Sequence, residues 1–338
     1  MTVDVTVVSA FHNRADAVDM SVGSLAAQTC RTFRAVVVDD ESRDDTFDRL
    51  QWFASDRIEV RRQRNRGFTR TMIELCEEAD TEFIALHGAG DESLPERLDA
   101  QLAFLRAHPE VVAVGCGIEN VDELTGRRWE VRPKAAVRRG PIAGGFGISH
   151  GEVMFRRDAY LRAGGYRAAF PLGQASDLFR RLSRLGDFGY VDQVLYRRYL
   201  RLDGVSAKPD KVAQREVLAA ISSAVHARAV AAGPAPGGRL SDELDRWGVL
   251  LPYLGEPDAG VARSLAGAAT MFWATGDRRL GLRLARRSLA EKATARGLAS
   301  LGLIAAGAGP LRAPLLKLAR RASRGEGEFA LARLTGGK

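Results

Sequence analysis

Residues 33–46 read FRAVVVDDESRDDT. An apolar run from Ala35 to Val38 leads into two adjacent acids, Asp39 and Asp40. A polar turn follows, and a helical pattern begins at Thr46. A short continuous apolar run bounded by turn residues is the signature of a strand buried on both faces. Asp44 and Asp45 are explained as capping residues before that helix. Asp39 and Asp40 are not. Their mutual repulsion is a cost unless a ligand or backbone N–H groups donate hydrogen bonds to them. A ligand role is expected for Asp39 or Asp40, because polar groups on loops above a sheet carry function.

The same grammar extends in both directions. VDVTVVSA (3–10) reads as a buried strand, Ala15 to Ala27 as a helix, IEVRRQ (58–63) as a third strand and Thr69 to Ala79 as a helix. EFIALHG (82–88), a helix from Pro95 to His108, and VVAVGCGIENVD (111–122) continue the series. Strands alternating with helices imply βαβ units and a mostly parallel sheet, an α/β fold. Ligands bind such sheets at the carboxyl ends of the strands. The polar clusters His12-Asn13-Arg14, Asp39-Asp40, Asn65-Arg66-Gly67 and Asp91-Glu92 all fall there. GEVMFRR (151–157), a helix stopping at Gly164-Gly165, an amphipathic SDLFRRLSRLG (176–186) and a last strand near YVDQVLYRRYLR (190–201) complete the first part. From about Val212 the pattern is helical throughout, with Gly/Pro breaks, and reads as a separate appendage.

The 338 residues carry a net charge of +8, with 46% hydrophobic and 27% charged residues. A basic balance permits nucleic acid, anionic lipid or phosphorylated substrates without choosing among them. Cys30, Cys76 and Cys116 are widely spaced, the pattern of reduced thiols in a cytoplasmic protein. The N-terminus lacks a basic segment followed by an apolar core, so no signal peptide is expected. No run reaches the roughly 18 apolar residues of a membrane span. The turn SAFHNRAD (9–16) has no glycine, which argues against a dinucleotide-binding turn and against a nucleotidyltransferase. No Ser-His-Asp array and no metal-spaced His/Cys cluster is present.

The ordered series VVSAFHNRAD, SLAAQTCRTFRAVVVDDESRDDT, NRGFTRT, EFIALHGAGDESLPERLDAQ, HGEVMFRRDAYLRAGGYR, SDLFRRLSRLG and LYRR resembles glycosyltransferase family 2. It spans about residues 3–206, roughly 60% of the chain. The resemblance implies a GT-A nucleotide-diphospho-sugar transferase fold over 1–206 and a helical region over 207–338. It also implies inverting transfer from a nucleotide-diphosphate sugar to an acceptor hydroxyl on a glycan or lipid-linked saccharide. Residue by residue, it places Ala10, Phe11, Asn13 and Arg14 under the nucleotide. Asp40 holds the base or ribose and Asp39 supports it. Asn65, Gly67 and Arg70 lie beside the nucleotide. Asp177 is the general base on the acceptor hydroxyl, and His150 and Gly151 line the acceptor side.

The family's D-x-D-type cluster holds a divalent metal, Mn or Mg, that bridges the two phosphates. Here the corresponding residues are Gly88-Ala89-Gly90-Asp91, so Asp91 is the one metal ligand expected. Gly90 lets the backbone approach a diphosphate closely. One carboxylate can suffice when substrate phosphates supply further oxygens. The alternative is a non-catalytic nucleotide-sugar or glycan-binding protein with a degraded metal motif. Arg201 is a candidate cation for the leaving diphosphate. Local readings stand beside these: Ser93 as the cap of a helix with Pro95 in its first turn and Glu96 as capping-box partner, and Ser176 or Asp177 as the cap of the next.

From Arg278 to Arg324 twelve Lys or Arg face one acid, Glu291. Basic helices with interleaved leucines fit either a packed bundle with a solvated cationic face or peripheral contact with an anionic membrane, here the inner face of the cell membrane. No nucleic-acid partner is expected.

Overall fold

A computed structural model describes residues 3–133, 136–142, 146–201, 209–232 and 257–307. The chain divides into two compact units, Met1–Leu200 and Arg201–Lys338.

Among the described residues of the first unit ten strands form one sheet. The strands are β1 (Val5–Phe11), β2 (Phe33–Asp40), β3 (Ile58–Gln63), β4 (Phe83–Leu86), β5 (Glu92–Ser93), β6 (Val111–Asp122), β7 (Arg128–Val131), β8 (Val137–Arg138), β9 (Met154–Arg156) and β10 (Asp187–Leu200). The main order is β3-β2-β1-β4-β9-β6-β10-β5, with β7 on β6 and β8 on β10. Strands β3, β2, β1 and β4 are parallel, as is the β6–β10 pair. Strand β9 inserts antiparallel between β4 and β6, and β5, β7 and β8 also pair antiparallel. The mostly parallel α/β sheet expected from the alternation is therefore joined by four antiparallel strands. All four are short, and their pairing depends on distant partners rather than local pattern.

Helices cover both faces. In β1, Val5, Val7 and Phe11 point to one core, while Val8 and Ala10 point to the other, as strand alternation requires. The first core packs α1 (Val18–Ala26), α2 (Thr46–Gln51) and α4 (Arg97–Ala107) through Val22, Leu25, Leu50, Leu98 and Leu105. The second packs α3 (Phe68–Glu78), α5 (Arg157–Arg162) and α6 (Gln174–Leu182) through Met72, Cys76, Tyr160, Leu178 and Phe179. Each fully buried leucine or phenylalanine contributes about 1.5–3 kcal/mol. All three cysteines are free and buried.

Two expected helix starts shift. Helix α4 begins at Arg97, with Glu96 at its cap, and Ser93 belongs to strand β5. Helix α6 begins at Gln174 behind Gly173, whose φ of 73° suits glycine. Asp177 is therefore inside the first turn, and neither it nor Ser176 caps the helix.

The second unit contains α7 (Pro209–Ala232), α8 (Ala259–Thr275), α9 (Arg278–Glu291) and α10 (Ala295–Ala306). Asp258, Asp277 and Thr294 cap the last three through side-chain acceptors. No described helix is long and apolar enough to cross a membrane. The expected boundary at 206/207 and the basic tail beyond residue 307 lie outside the described residues.

Candidate active site

The carboxyl ends of β1 and β2 are stitched together by the polar residues of their turns. The Asn13 N–H donates to Ser42 Oγ at 2.8 Å, the Arg14 N–H to Thr46 Oγ1 at 2.8 Å, and the Arg43 N–H to Asn13 Oδ1 at 2.8 Å. Asn13 reaches a φ of 51° to do so. The side chains of Ala10 and Phe11 are in the core, so at these positions the exposed polar groups belong to His12 and Asn13.

Asp39 and Asp40 use backbone donors, one of the two ways their repulsion can be offset. Asp39 is fully buried, accepts from the Ser42 N–H at 3.3 Å and pairs with Arg62 at 3.3 Å. Asp40 accepts from Gln63 Nε2 at 2.8 Å, from the Arg66 N–H at 2.9 Å and from the Gly67 N–H at 2.9 Å. It thereby anchors the loop that leads into α3. Asn65 Nδ2 donates to the Asp40 carbonyl at 3.0 Å, and Gly67, at φ 78°, caps the helix. Arg70 is exposed one turn on.

The Gly88–Asp91 loop leaves β4 over a buried polar network. His87 bonds Ser21 Oγ at 2.8 Å and Ser93 Oγ at 3.0 Å. Burial and the charge of Arg97 push its pKa down to about 3, so the ring is neutral. Arg97 is fully buried, donates to Ser93 Oγ at 2.6 Å, Leu86 O at 2.5 Å and Gln101 Oε1 at 3.2 Å, and lies 5.0 Å from the Tyr196 ring centroid. Above it, Tyr196 Oη donates to Asp91 Oδ2 at 2.9 Å, and the Tyr199 N–H donates to Asp91 Oδ1 at 3.1 Å. Burial pushes the Asp91 pKa up to about 6, against the pull of these donors and of Arg198. Glu92, its sequence neighbour, faces elsewhere and pairs with Arg197 at 2.5 Å.

Two glycines make room for this carboxylate. A methyl group on Gly88 would overlap Asp91 Oδ2. One on Gly151 would sit 2.5 Å from Tyr196 Oη and 3.2 Å from Asp91 Oδ2. Next to Gly151, His150 shares a hydrogen bond with Tyr166 Oη at 2.7 Å and meets the Phe68 ring edge-on at 5.4 Å. Burial holds its pKa near 4. The path continues from Tyr166 to Arg167, which pairs with Asp177 Oδ1 at 3.6 Å. Arg181 holds the other Asp177 oxygen at 2.6 Å, and Asp177 is 3% exposed.

The structure thus links the Asp40 loop, through Gly67 and Phe68, to His150. From His150 one branch reaches Gly151 and Asp91, and the other reaches Asp177. Arg201 is the first residue of the second unit. Within the first unit the charge of Arg198, which donates to Asn120 Oδ1 at 2.8 Å, acts on Asp91. From the sequence His87 is expected to be structural rather than chemical, and Arg97 and Tyr196 are given no role. The usable signal was in α4, where Arg97 and Gln101 stand four apart on a helix face otherwise carrying Leu98, Leu102 and Leu105.

Residues 6–162 match the Glycosyl transferase family 2 model. Residues 6–162 form a family 2 glycosyltransferase domain. EpsE of Bacillus subtilis (strain 168), named a glycosyltransferase, is 28% identical over 200 residues, covering 57% of this chain and 72% of that protein. The amylovoran biosynthesis glycosyltransferase AmsE of Erwinia amylovora is 27% identical over 112 residues, 31% of this chain and 40% of its own length. Among solved structures, TarS 1-349 of S. aureus in complex with UDP-GlcNAc aligns with a TM-score of 0.58 at 17% identity, over 89% of this chain and 90% of that one. The mannosyltransferase PcManGT of Pyrobaculum calidifontis, in complex with GDP-Man and Mn2+, aligns with a TM-score of 0.52 at 19% identity, over 99% and 86%. At these identities the two structures bear on the fold alone.

Among the described residues no three His, Cys, Asp or Glu side chains converge as a metal-binding group. In the Gly88–Asp91 loop Asp91 offers a carboxylate, each of whose oxygens takes one hydrogen bond and retains acceptor capacity. A hard divalent cation suits that donor if phosphate oxygens and water fill its other positions.

Proposed function

We propose that this chain is an inverting glycosyltransferase acting on a hydroxyl of a saccharide or lipid-linked acceptor. The observation that carries the reading is the contact path that joins Asp91 to Asp177 through Gly151, His150, Tyr166 and Arg167. It lets one carboxylate serve the donor and the other the acceptor.

Asp177 is the base. It takes the proton of the acceptor hydroxyl as that oxygen bonds to the anomeric carbon, opposite the departing diphosphate. The bond from the anomeric carbon to the phosphate oxygen breaks, the diphosphate leaves with the electron pair, and the configuration inverts. Arg181 and Arg167 hold the carboxylate in place and offset its burial. The loop of Asn65, Arg66 and Gly67, anchored by Asp40, with Asn13 and Arg14 opposite, receives the nucleotide. His150 and Gly151 border the acceptor. A divalent cation, Mn2+ or Mg2+, would be held by Asp91 and would stabilise the charge of the leaving diphosphate. Arg198 adds a fixed cation on the same side.

A panel of nucleotide sugars tests the reading. Turnover of at least one donor, lost in Asp177→Asn, is the expected result. A second reading rests on Gly88, which stands where the family carries an acid: a nucleotide-sugar binder without turnover. Metal-independent binding of UDP or GDP in calorimetry, with no product, would favour it.

The helical unit is assigned to the cytoplasmic membrane surface. Arg279, Arg283 and Arg286 are exposed along one face of α9, and Leu298 is 60% exposed on α10. The three acids of residues 258–307 are occupied internally: Asp258 and Asp277 cap helices, and Glu291 is buried against the Asp258 N–H.

A further inference from the structure

We propose that Tyr196 is a positioning residue for Asp91, its phenol filling the space that Gly88 and Gly151 leave beside that carboxylate. The inference rests on the reading of Asp91 as the donor-side carboxylate.

The direction of the hydrogen bond is fixed by proton counting. Tyr196 Oη accepts the Gly88 N–H at 2.9 Å, and a phenol has one proton to give. That proton goes to Asp91 Oδ2. The Tyr199 N–H, three residues along β10, takes the other oxygen. One strand therefore grips both oxygens of the carboxylate and sets its rotation, leaving one acceptor position on each oxygen for a cation.

The ring is in turn immobilised. Tyr196 is fully buried, the Arg97 guanidinium lies over its face, and His87 meets it edge-on at 6.0 Å. Arg97 cannot follow a displaced ring without breaking its own bonds to Ser93 and Leu86. Gly88 and Gly151 complete the arrangement, since a methyl on either would press on Tyr196 Oη or Asp91 Oδ2. Gly88, Gly151 and Tyr196 thus form one packing arrangement around Asp91. The space is given to a neutral donor, so a single carboxylate is held in one orientation. Partners that orient a metal's ligands matter almost as much as the ligands, and removing one costs about 10–100-fold in metal affinity.

The test is Mn2+ binding to the full chain, read by electron paramagnetic resonance in the presence of UDP or GDP, whichever wild type binds. Tyr196→Phe keeps the ring, its stack on Arg97 and its edge contact with His87, and removes the proton. The expected result is Mn2+ affinity in the ternary complex weakened about 10–100-fold, with metal-free nucleotide affinity near wild type and a thermal midpoint lowered by a few degrees, because the Gly88 N–H loses its acceptor. Gly151→Ala, which displaces the phenol from the other side, is expected to give the same loss. Unchanged Mn2+ affinity in both variants overturns the proposal, as does an equal loss of metal-free nucleotide affinity. A wild type that binds neither nucleotide nor Mn2+ overturns the donor-site reading and this inference with it.

Discussion

The Gly67 N–H donates to Asp40 Oδ2 at 2.9 Å, so the last residue of β2 holds the first residue before α3. The other Asp40 oxygen takes the Arg66 N–H and Gln63 Nε2. The carboxylate shapes the loop between β3 and α3. Asp40→Ala removes the acceptor of two backbone N–H groups, and leaving such groups unsatisfied costs about 1–3 kcal/mol each. A destabilisation of that order in urea unfolding, together with loss of nucleotide binding, is the expected outcome. A variant as stable as wild type that loses only binding would place Asp40 on the ligand alone.

Gly88 has no room for a side chain. Gly88→Ala is expected to lower turnover at least about tenfold, because the methyl displaces Asp91 and misplaced donors cost activity of this order. Gly88→Asp, which restores an acid to the loop, is expected to be no better than Gly88→Ala, since it meets the same obstruction and adds a like charge. Steady-state kinetics of the two variants check this. A gain of activity in Gly88→Asp would contradict the described loop.

His87 is buried and His150 half-buried, and both rings are neutral, with pKa values held near 3 and 4. In the unfolded chain each titrates near 6.5. Groups with depressed folded pKa values of this kind stabilise the fold above the unfolded value. The contribution is lost as pH falls from about 6.5 toward the folded value. Asp91 and Glu152, raised by burial, act in the opposite direction over part of the same window, so the difference between proteins is the useful quantity. The stability gap between wild type and His87→Asn is expected to narrow between pH 7 and pH 5 in denaturant unfolding. A gap that stays constant would mean His87 is not held neutral.

Much of this arrangement was legible in the sequence. Continuous apolar runs fixed β1, β2, β4 and β6, and the acids that end β2 and follow β4 stand where a parallel sheet collects ligands. Less legible were features that depend on distant partners. Strand β9 pairs with β4 and β6 across long separations, and its three residues carry no pattern of direction. Ser93 looks like a cap because it precedes Pro95 and Glu96, yet its hydroxyl is claimed by His87 and Arg97. Asp177 looks like a cap until Gly173 takes a left-handed turn that starts the helix earlier. Tyr196 gains its role through the β5–β10 register, where it lies opposite Ser93.

The cationic face of α9 predicts sedimentation with vesicles containing anionic lipid and none with purely zwitterionic vesicles, falling as salt is raised. Reversal of Arg279, Arg283 and Arg286 to Glu is expected to abolish it. Equal sedimentation of wild type and the reversed variant would remove the membrane assignment.

The most direct measurement follows one sugar from donor to product. Wild type is incubated with a nucleotide-diphosphate α-sugar, Mn2+ and a hydroxyl acceptor, and the anomeric configuration of the product is read by NMR. The account predicts a β-linked product with wild type, and turnover reduced at least about a hundredfold in Asp177→Asn, the scale of general-base catalysis. An α-linked product, or undiminished turnover in Asp177→Asn, would contradict it.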